Sequence, residues 1–417
     1  MTQASPPLPT SRGALSGVRV IELGMVMQVP LAGQMLGDYG ADVIKVERLS
    51  PGEILRTLDP VANEKGGISC YYAALCRNKR SLALDIKSEE GRDLLLRLID
   101  SADVLLHNFR PGVMERLGLS FEDLEKRNPR LIYAVGYAFG ATGPMAKMPG
   151  QDMLAQSYSG FAMSGVEESA VPQITNTPII DYMTALSLTQ GILAALVERS
   201  SSGRGQKIET SLLDVAFAAQ VLEQSSIAMH SQRTSWVKQS MRFKTTDGWL
   251  VVLTLFRDNP LRGLCAAFDV LDFSGQPKFA TRDLQVKNIA EIEEYFRPLV
   301  AEFSTAECVE RLSGQDILCS PINTLEQAAA SPQIRNNGMV WSVPVSGYGD
   351  VALAGNPVKL SRTPPELRIS PAELGAHASE ILGEIGVGEE EFSSLRVRPG
   401  THDARAMRRI RTMAAAA

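Results

Sequence analysis

An isolated carboxylate at the start of a long apolar segment is the feature of this sequence best suited to chemistry. Asp181 follows Pro178 by three positions, and no other charged side chain occurs from Tyr182 to Val197. A carboxylate beside apolar surface is costly unless it has partners, and one that stays charged there is a competent nucleophile. Asp is also a preferred helix N-cap, and a cap lies at the positive end of the helix dipole. The segment therefore predicts a helix capped by Asp181, with its carboxylate as the candidate nucleophile.

The composition is that of a globular protein with two domains. A chain of 417 residues exceeds what one hydrophobic core usually supports, and its 44% hydrophobic and 21% charged residues are ordinary values. The net charge of −5 argues against a nucleic-acid partner, which normally meets a basic face. A small anionic ligand remains compatible with this charge, because a local basic cluster is enough to bind it.

The cysteines and histidines give no sign of a disulfide framework or a metal site. The five cysteines lack C-x-x-C spacing, and the four histidines lie far apart in the sequence. No uninterrupted apolar run reaches the roughly 18 residues of a membrane helix. The first dozen residues lack the apolar core of a signal peptide. The sequence predicts a cytoplasmic protein with no metal and no membrane partner, and a poorly packed tail from Arg405.

Strands that alternate with helices in the first 200 residues predict a parallel α/β sheet. The predicted strands cover residues 18–23, 41–47, 82–86, 103–106 and 131–135, and the predicted helices cover 30–39, 88–99 and 121–126. After about residue 225 the pattern changes to that of a smaller α+β domain. It has a hairpin turn at 246–249, a return strand at 250–253, and helices at 289–301 and 305–313.

A strand, a helix and a second strand ending in Glu47 are also typical of dinucleotide-binding folds. Such a site needs G-x-G-x-x-G in the first turn, so that the backbone can approach a pyrophosphate. The turn from Gly24 to Pro30 has bulky side chains where those glycines would stand. We therefore expect a Rossmann-like sheet whose ligand is not a nicotinamide dinucleotide.

Basic residues gather at the predicted strand ends, where open α/β sheets bind their ligands. Arg and Lys side chains suit phosphates, although solvated surface cations have the same appearance in a sequence. The group comprises Lys45, Arg48, Arg77, Lys79, Arg80, Arg110 and Arg116, with residues 77–80 placed on a loop before the third strand. The following turn, Asn108 to Gly112, offers an amide and an aromatic face for an adenine or a pantetheine amide, or is an ordinary turn.

Taken together, these motifs resemble the class III coenzyme A transferases, the family of formyl-CoA transferase, carnitine CoA-transferase and α-methylacyl-CoA racemase. The resemblance covers nearly the whole chain and is carried by residues 17–23, 40–47, 78–81, 108–112 and 203–206, with the Asp181 segment. It implies that Asp181 is the nucleophile and that coenzyme A enters as acyl-CoA substrate, with no tightly bound cofactor. The residues that the resemblance assigns to coenzyme A are Arg48, Lys79, Asn108, Phe109, Arg116 and, along the pantetheine, Tyr137.

The resemblance also implies an architecture. A large Rossmann-like domain is built from both chain ends, residues 15–200 and 325–417, and a small α+β domain spans 225–324. The monomer is ring-shaped, and two rings interlock as a homodimer.

Three departures from the family pattern affect the predicted site. The family has Ala-Gly before the proline at position 30, whereas this chain has Gln28-Val29. We expect a reshaped acyl pocket there, with Gln28 as an oxyanion donor or a wall residue. A glycine-rich lid is not apparent between Met229 and Phe243. The racemases have a His–Asp pair where this chain has Gln151 followed by an Asp, which disfavours racemisation and leaves Gln151 as a pocket residue.

The predicted reaction transfers coenzyme A from an acyl-CoA to a carboxylic acid. Asp181 attacks the donor thioester to give a mixed anhydride and then an aspartyl-CoA thioester, from which the acceptor acid takes coenzyme A. A pKa rise of two units from about 3.9 would leave this carboxylate mostly ionised at neutral pH, so no separate base is needed. We expect backbone N–H groups to stabilise the oxyanion. A 2-methylacyl-CoA racemase and a non-catalytic CoA-binding protein remain alternatives, and the acyl group is not determined.

Overall fold

A computed structural model describes residues 13–166, 171–231, 239–254 and 257–388 of the chain. The N-terminal dozen residues, the tail from Arg405 and part of the segment between Met229 and Phe243 lie outside these ranges. The chain divides into two compact units. The first contains the residues up to Ser159, Ile174–Ala218 and those from Met339 on, and the second contains Gly160–Gln173 and Ala219–Gly338.

The strands and helices of the described residues follow one another along the whole chain. The strands are β1 (Arg19–Glu22), β2 (Asp42–Glu47), β3 (Lys79–Ala83), β4 (Val104–His107), β5 (Ile132–Tyr137), β6 (Lys207–Ser211), β7 (Ser240–Lys244), β8 (Trp249–Leu253), β9 (Leu318–Pro321), β10 (Val340–Val345) and β11 (Gly349–Ala354). The helices are α1 (Gln28–Asp38), α2 (Pro60–Lys65), α3 (Cys70–Leu75), α4 (Glu89–Asp100), α5 (Val113–Arg116), α6 (Phe121–Arg127), α7 (Asp152–Tyr158), α8 (Ile179–Ser202), α9 (Leu212–Ala218), α10 (Val221–His230), α11 (Pro260–Ala267), α12 (Arg282–Lys287), α13 (Ile289–Val300), α14 (Thr305–Gly314), α15 (Leu325–Ala330), α16 (Pro332–Asn336) and α17 (Ala378–Glu384).

The first unit is built on a parallel sheet of six strands in the order β3-β2-β1-β4-β5-β6. This is the strand order of doubly wound dinucleotide-binding sheets, so the predicted Rossmann-like α/β fold is confirmed. The order reverses between β1 and β4, and open sheets bind ligands beyond the carboxyl ends of strands at such a switch point. We therefore expect a ligand site at the loops that follow β1 and β4.

Helices cover both faces of this sheet, which explains why its strands are almost continuous apolar runs. Alternate residues of β1 show the principle, since Val20 packs toward α1 and α8 while Ile21 packs toward α4, α6 and α17. Helix α4 begins where predicted because the hydroxyl of Ser88 accepts the N–H of Gly91. The sheet thus provides a rigid base for the loops at its edge.

The third strand begins earlier than predicted. β3 starts at Lys79, which pairs in register with Val43, so residues 79–81 lie in the sheet and not on a loop. The prediction failed because a run of cations looks like a loop when only the local sequence is known. In the structure, Lys79 forms an ion pair with Glu22, and Arg80 forms one with Asp42.

The C-terminal part of the chain returns to the first unit. Ile381 and Leu382 of α17 pack into the same core as α4, and Arg80 pairs with Glu380 and Glu384 of that helix. The return begins at Met339, whereas the sequence placed it at residue 325. Both ends of the described chain thus contribute to the unit that carries the parallel sheet.

The second unit has an antiparallel sheet, β7-β8-β9, and its own core around Phe243 and Phe296. The predicted turn is present, since the N–H of Thr245 bonds to the carbonyl of Gly248 between β7 and β8. The predicted helices at 289–301 and 305–313 correspond to α13 and α14. The mixed α and β content expected for this part of the chain is therefore observed.

Helix α8 was not expected to be long and apolar enough to cross a membrane. By length and composition it qualifies, and it is the one such helix in the part of the chain that the structure describes. Ala185, Leu188 and Ile192 of α8 are nevertheless fully buried against α1 and the sheet. That packing is typical of the central helix of a folded unit.

Candidate active site

Asp181 lies inside α8, three residues beyond the N-cap position. The N-cap residue is Pro178 and makes no side-chain capping bond, so the prediction that Asp181 caps this helix is wrong. The first turn still places the carboxylate near the positive end of the α8 dipole. Asp181 is only 9% exposed, so the charged group is removed from most of its solvent.

The capping bond of α8 comes from another helix. The backbone N–H of Asp181 donates to Oδ2 of Asp152, the first residue of α7, at 2.8 Å. That N–H has no partner within its own helix, as expected in a first turn. Because Asp152 takes over this role, the side chain of Asp181 is free for another function.

The sequence predicted Gln151 as a pocket residue and gave no role to its neighbour Asp152. Gln151 is exposed and precedes α7, whereas Asp152 is buried. Oδ1 of Asp152 accepts a 2.5 Å hydrogen bond from Gln156, whose own amide oxygen accepts the N–H of Thr175. The signal available in the sequence was the i, i+4 spacing of Asp152 and Gln156, which places both on one face of a helix.

The carboxylate of Asp181 also faces the start of α1. The backbone N–H of Gln28, the first residue of that helix, lies near the carboxylate and favours its ionised form. Such a donor has no partner within its own helix, and a helix N-terminus stabilises an anion. The structure thus brings Asp181, Asp152 and Gln28 together from three distant parts of the sequence.

The side chain of Gln28 is 7% exposed and points toward the sheet. Its amide oxygen has no hydrogen-bond partner among the described residues. A Cβ added to Gly136 of β5 would lie only 2.2 Å from that oxygen, so glycine at this position makes room for the amide. Gln28 therefore belongs to the candidate site through both its backbone N–H and its buried side chain.

The surroundings change the acidity of Asp181. Burial, and then the negative charge of Asp152, raise the pKa of Asp181 to about 7, while the N–H of Gln28 acts in the opposite direction. This exceeds the two-unit rise considered from the sequence, so about half of the carboxyl groups are protonated at pH 7. Burial also lowers the pKa of His107, at the end of β4, to about 3, so this histidine is neutral there.

The β1–α1 loop, residues 23–27, is held in an unusual conformation. Val26 has φ 64°, a left-handed backbone that strains a β-branched residue. Asn108, which follows β4, holds Met25, the residue before Val26. Its Oδ1 accepts the N–H of Met25, and its Nδ2 donates to the Met25 carbonyl. Asn108 therefore joins the two loops that flank the switch point of the sheet.

Most of the other residues assigned to coenzyme A lie on the loops or strand ends at this edge. Arg48 directly follows β2 and is exposed, and Tyr137 is the buried last residue of β5. Phe109 is half-buried and stacks on the ring of His107. Arg116 is exposed on α5, the short helix that follows β4.

Lys79 is the exception among these residues. It is 1% exposed, and its ammonium group forms an ion pair with Glu22 at 2.7 Å and donates to the carbonyl of Pro30 at 2.6 Å. The structure thus supports an internal ion pair and not a ligand contact. Three further members of the predicted basic cluster are also buried in ion pairs, namely Lys45, Arg77 and Arg80.

Comparison with known proteins agrees with this geometry. Residues 15–378 match CoA-transferase family III. The chain is 34% identical over 403 residues to an acyl-CoA transferase of Fusarium pseudograminearum, covering 93% of this chain and 88% of the relative. It is 30% identical over 389 residues to a succinate–glutarate CoA-transferase of Agrobacterium fabrum, covering 91% and 97% of the two chains.

A solved structure shows the same fold. The crystal structure of a CaiB/BaiF family protein from Brucella suis superposes with a TM-score of 0.80 at 27% sequence identity, covering 90% of this chain and all of that one. The family match spans the parallel sheet, Asp152, Asp181 and the second unit. The chain belongs to CoA-transferase family III.

Proposed function

We propose that this protein transfers coenzyme A from an acyl-CoA to a carboxylic acid and that Asp181 is the nucleophile. The observation that carries the proposal is the position of this carboxylate. It is buried, it lies near the first N–H of α1, and it belongs to a unit whose sheet has the strand order of nucleotide-binding folds. Its pKa of about 7 leaves enough of the ionised form for attack at neutral pH.

The reaction proceeds through three covalent intermediates on Asp181, two mixed anhydrides and one thioester. Its carboxylate attacks the thioester carbonyl of the donor, the C–S bond breaks, and a mixed anhydride and the CoA thiolate result. The thiolate attacks the aspartyl carbonyl and releases the donor acid, which leaves an aspartyl-CoA thioester. The acceptor carboxylate attacks this thioester to give a second anhydride. The released thiolate then attacks the acceptor carbonyl and regenerates Asp181.

The N–H of Gln28 is the proposed oxyanion donor for the steps at the aspartyl carbonyl. Attack by the thiolate or by the acceptor acid moves negative charge onto an oxygen of Asp181. An N–H that already favours the negative charge of this side chain is suited to stabilise that oxygen. The sequence predicted backbone donors for this role without identifying any of them.

Coenzyme A is proposed to bind as substrate along the edge where the strands end. Arg48 and Arg116 are exposed cations suited to its phosphates, and Asn108, Phe109 and Tyr137 are suited to the rest of the molecule. The acids named for the relative from Agrobacterium fabrum are succinate and glutarate, which supports a dicarboxylate as one of the substrates. A ring-shaped monomer, an interlocked homodimer and a cytoplasmic location complete the proposal.

Trapping of the intermediate tests the proposed function. Wild-type protein is incubated with a panel of acyl-CoAs without acceptor acid, and its intact mass is compared with that of Asp181→Asn. Asp214→Asn is a matched control, because Asp214 is the third residue of α9, as Asp181 is of α8, but is exposed. We expect a CoA adduct that hydroxylamine removes in the wild type and the control, and no adduct in Asp181→Asn.

Other outcomes would point to the alternatives. Loss of activity in Asp181→Asn with unchanged CoA binding supports catalysis. If Asp181→Asn keeps full turnover, or if the wild type never forms an adduct, the covalent mechanism is wrong. Deuterium uptake at the α-carbon of a 2-methylacyl-CoA without any acceptor would favour the racemase. Binding of coenzyme A with no reaction at all would favour a passive binding protein.

A further inference from the structure

Four charged side chains form a buried chain beneath the β1–α1 loop. In order they are Lys79, Glu22, Lys45 and Glu53, and the successive ion-pair distances are 2.7, 2.8 and 2.6 Å. Each of these side chains is at most 1% exposed. The two positive and two negative charges balance. We call these four residues the charge quartet.

The charge quartet bonds to the backbone on both sides of Gln28. Lys45 donates to the carbonyl of Gly24 at 3.0 Å, and Glu53 accepts the N–H of Val26 at 2.6 Å. Lys79 donates to the carbonyl of Pro30 at 2.6 Å. Gln28 lies between these attachment points, and its own N–H is the one that favours the ionised form of Asp181.

The attachment at Val26 holds the strained part of the loop. Val26 has a left-handed backbone and a side chain that is 48% exposed, so burial of the side chain does not account for this conformation. A strained backbone persists only where the surrounding structure over-determines it. The short bond from the Val26 N–H to Glu53 provides such a constraint.

We propose that the charge quartet is a positioning device for the reaction at Asp181: through Glu53 and the two lysines it fixes the β1–α1 loop so that the N–H of Gln28 stays directed at the Asp181 carboxylate. This inference rests on the proposed function and extends it. Its members do not touch the reacting atoms, so they are positioning residues. Their effect on the reaction passes through the backbone of residues 24–30.

A purely structural role would have different consequences. Breaking any buried ion pair costs stability, wherever the pair lies. Only a positioning role predicts that the substitution also changes the hydrogen exchange of the Gln28 N–H and the turnover rate. A misdirected oxyanion donor weakens stabilisation of the transition state, while binding of the distant nucleotide end stays the same. The expected signature is therefore a fall in kcat with little change in KM for acyl-CoA.

Two substitutions disturb the charge quartet in different ways. Glu53→Gln keeps the size of the side chain, but an amide has one acceptor oxygen and cannot serve both Val26 and Lys45. Gly33→Ala changes no charge: its Cβ would lie 2.0 Å from Oε2 of Glu22 and so displaces that carboxylate. Both variants loosen the loop without altering Asp181 or Gln28.

Asp38→Asn is the matched control. Asp38 is the last residue of α1, is buried, and pairs with Arg77 through both oxygens, so this variant also breaks a buried ion pair of the same helix. It does so at the end remote from Gln28. Loss of thermal stability by itself should appear in the control as well.

The experiment measures amide hydrogen exchange of residues 23–31 and steady-state kinetics for the full chain and the three variants. We expect Glu53→Gln and Gly33→Ala to speed exchange at Gln28 and to lower kcat about 10- to 100-fold, with KM changed less than about threefold. In Asp38→Asn, exchange in this segment and kcat should stay close to wild type.

The inference is overturned if exchange at Gln28 is unchanged in Glu53→Gln, or if Asp38→Asn lowers kcat as much as Glu53→Gln does. It also fails if exchange rises in both test variants of an active enzyme while kcat stays the same. A wild type without transferase activity would refute the proposed function and this catalytic consequence. The exchange measurement would still decide by itself whether the charge quartet holds the loop.

Discussion

Replacement of Asp181 by Asn should stabilise the protein, and increasingly so as the pH rises. The pKa of Asp181 is raised to about 7 in the folded protein, whereas an unfolded Asp titrates near 3.9. The folded state therefore holds the proton more tightly than the unfolded state does. The contribution of this residue to stability is most favourable below about pH 4 and is lost as the pH rises through about 7.

The size of the effect follows from the shift. Three pKa units correspond to about 4 kcal/mol at high pH, since one unit is about 1.4 kcal/mol. Between pH 4.5 and pH 8 the penalty in the wild type should grow by about 3 kcal/mol. Asn carries no charge at either pH, so Asp181→Asn should escape this penalty.

The measurement is the melting temperature of wild type and variant at both pH values. Differences between the two proteins are compared, because a chain with two units need not unfold in one step. The advantage of Asp181→Asn should grow by about 5 to 10 °C from pH 4.5 to pH 8. Asp214→Asn measures the effect of losing an exposed aspartate at the same helix position. A difference that is constant with pH, or that shrinks as the pH rises, would refute the argument that burial and Asp152 raise this pKa.

Three further predictions concern the same unit. Asp152→Asn removes the neighbouring negative charge, so the pH at which kcat is half-maximal should fall about one unit below that of the wild type in a pH–rate profile. Arg48→Ala and Arg116→Ala should each raise KM for acyl-CoA about tenfold and leave kcat within about twofold, as steady-state kinetics at fixed salt will show. Val26→Gly should raise the free energy of unfolding by about 1 kcal/mol, because glycine adopts the left-handed backbone without strain, and denaturant titration will measure this change.

The sequence by itself determined most strands of the sheet and the carboxylate that stands out, but it missed β6 and the start of β3. Hydrophobic patterning located the first two strands, α4 and the helix that carries Asp181, because burial on a regular element leaves a local periodic trace. The absence of glycines between Gly24 and Pro30 argued against a nicotinamide dinucleotide. The family motifs placed Arg48, Asn108 and Tyr137 near the ends of strands.

Only the tertiary structure decided which charged side chains lie next to one another. Lys79 looked like a phosphate ligand until the fold placed it beside Glu22, 57 positions earlier in the chain. Asp152 was overlooked because its importance depends on the N–H of Asp181 in a different helix. The acidity of Asp181 likewise depends on burial and on that neighbour. Electrostatic pairing acts through space. A carboxylate and its partner therefore leave no joint pattern in the sequence when many residues separate them along the chain.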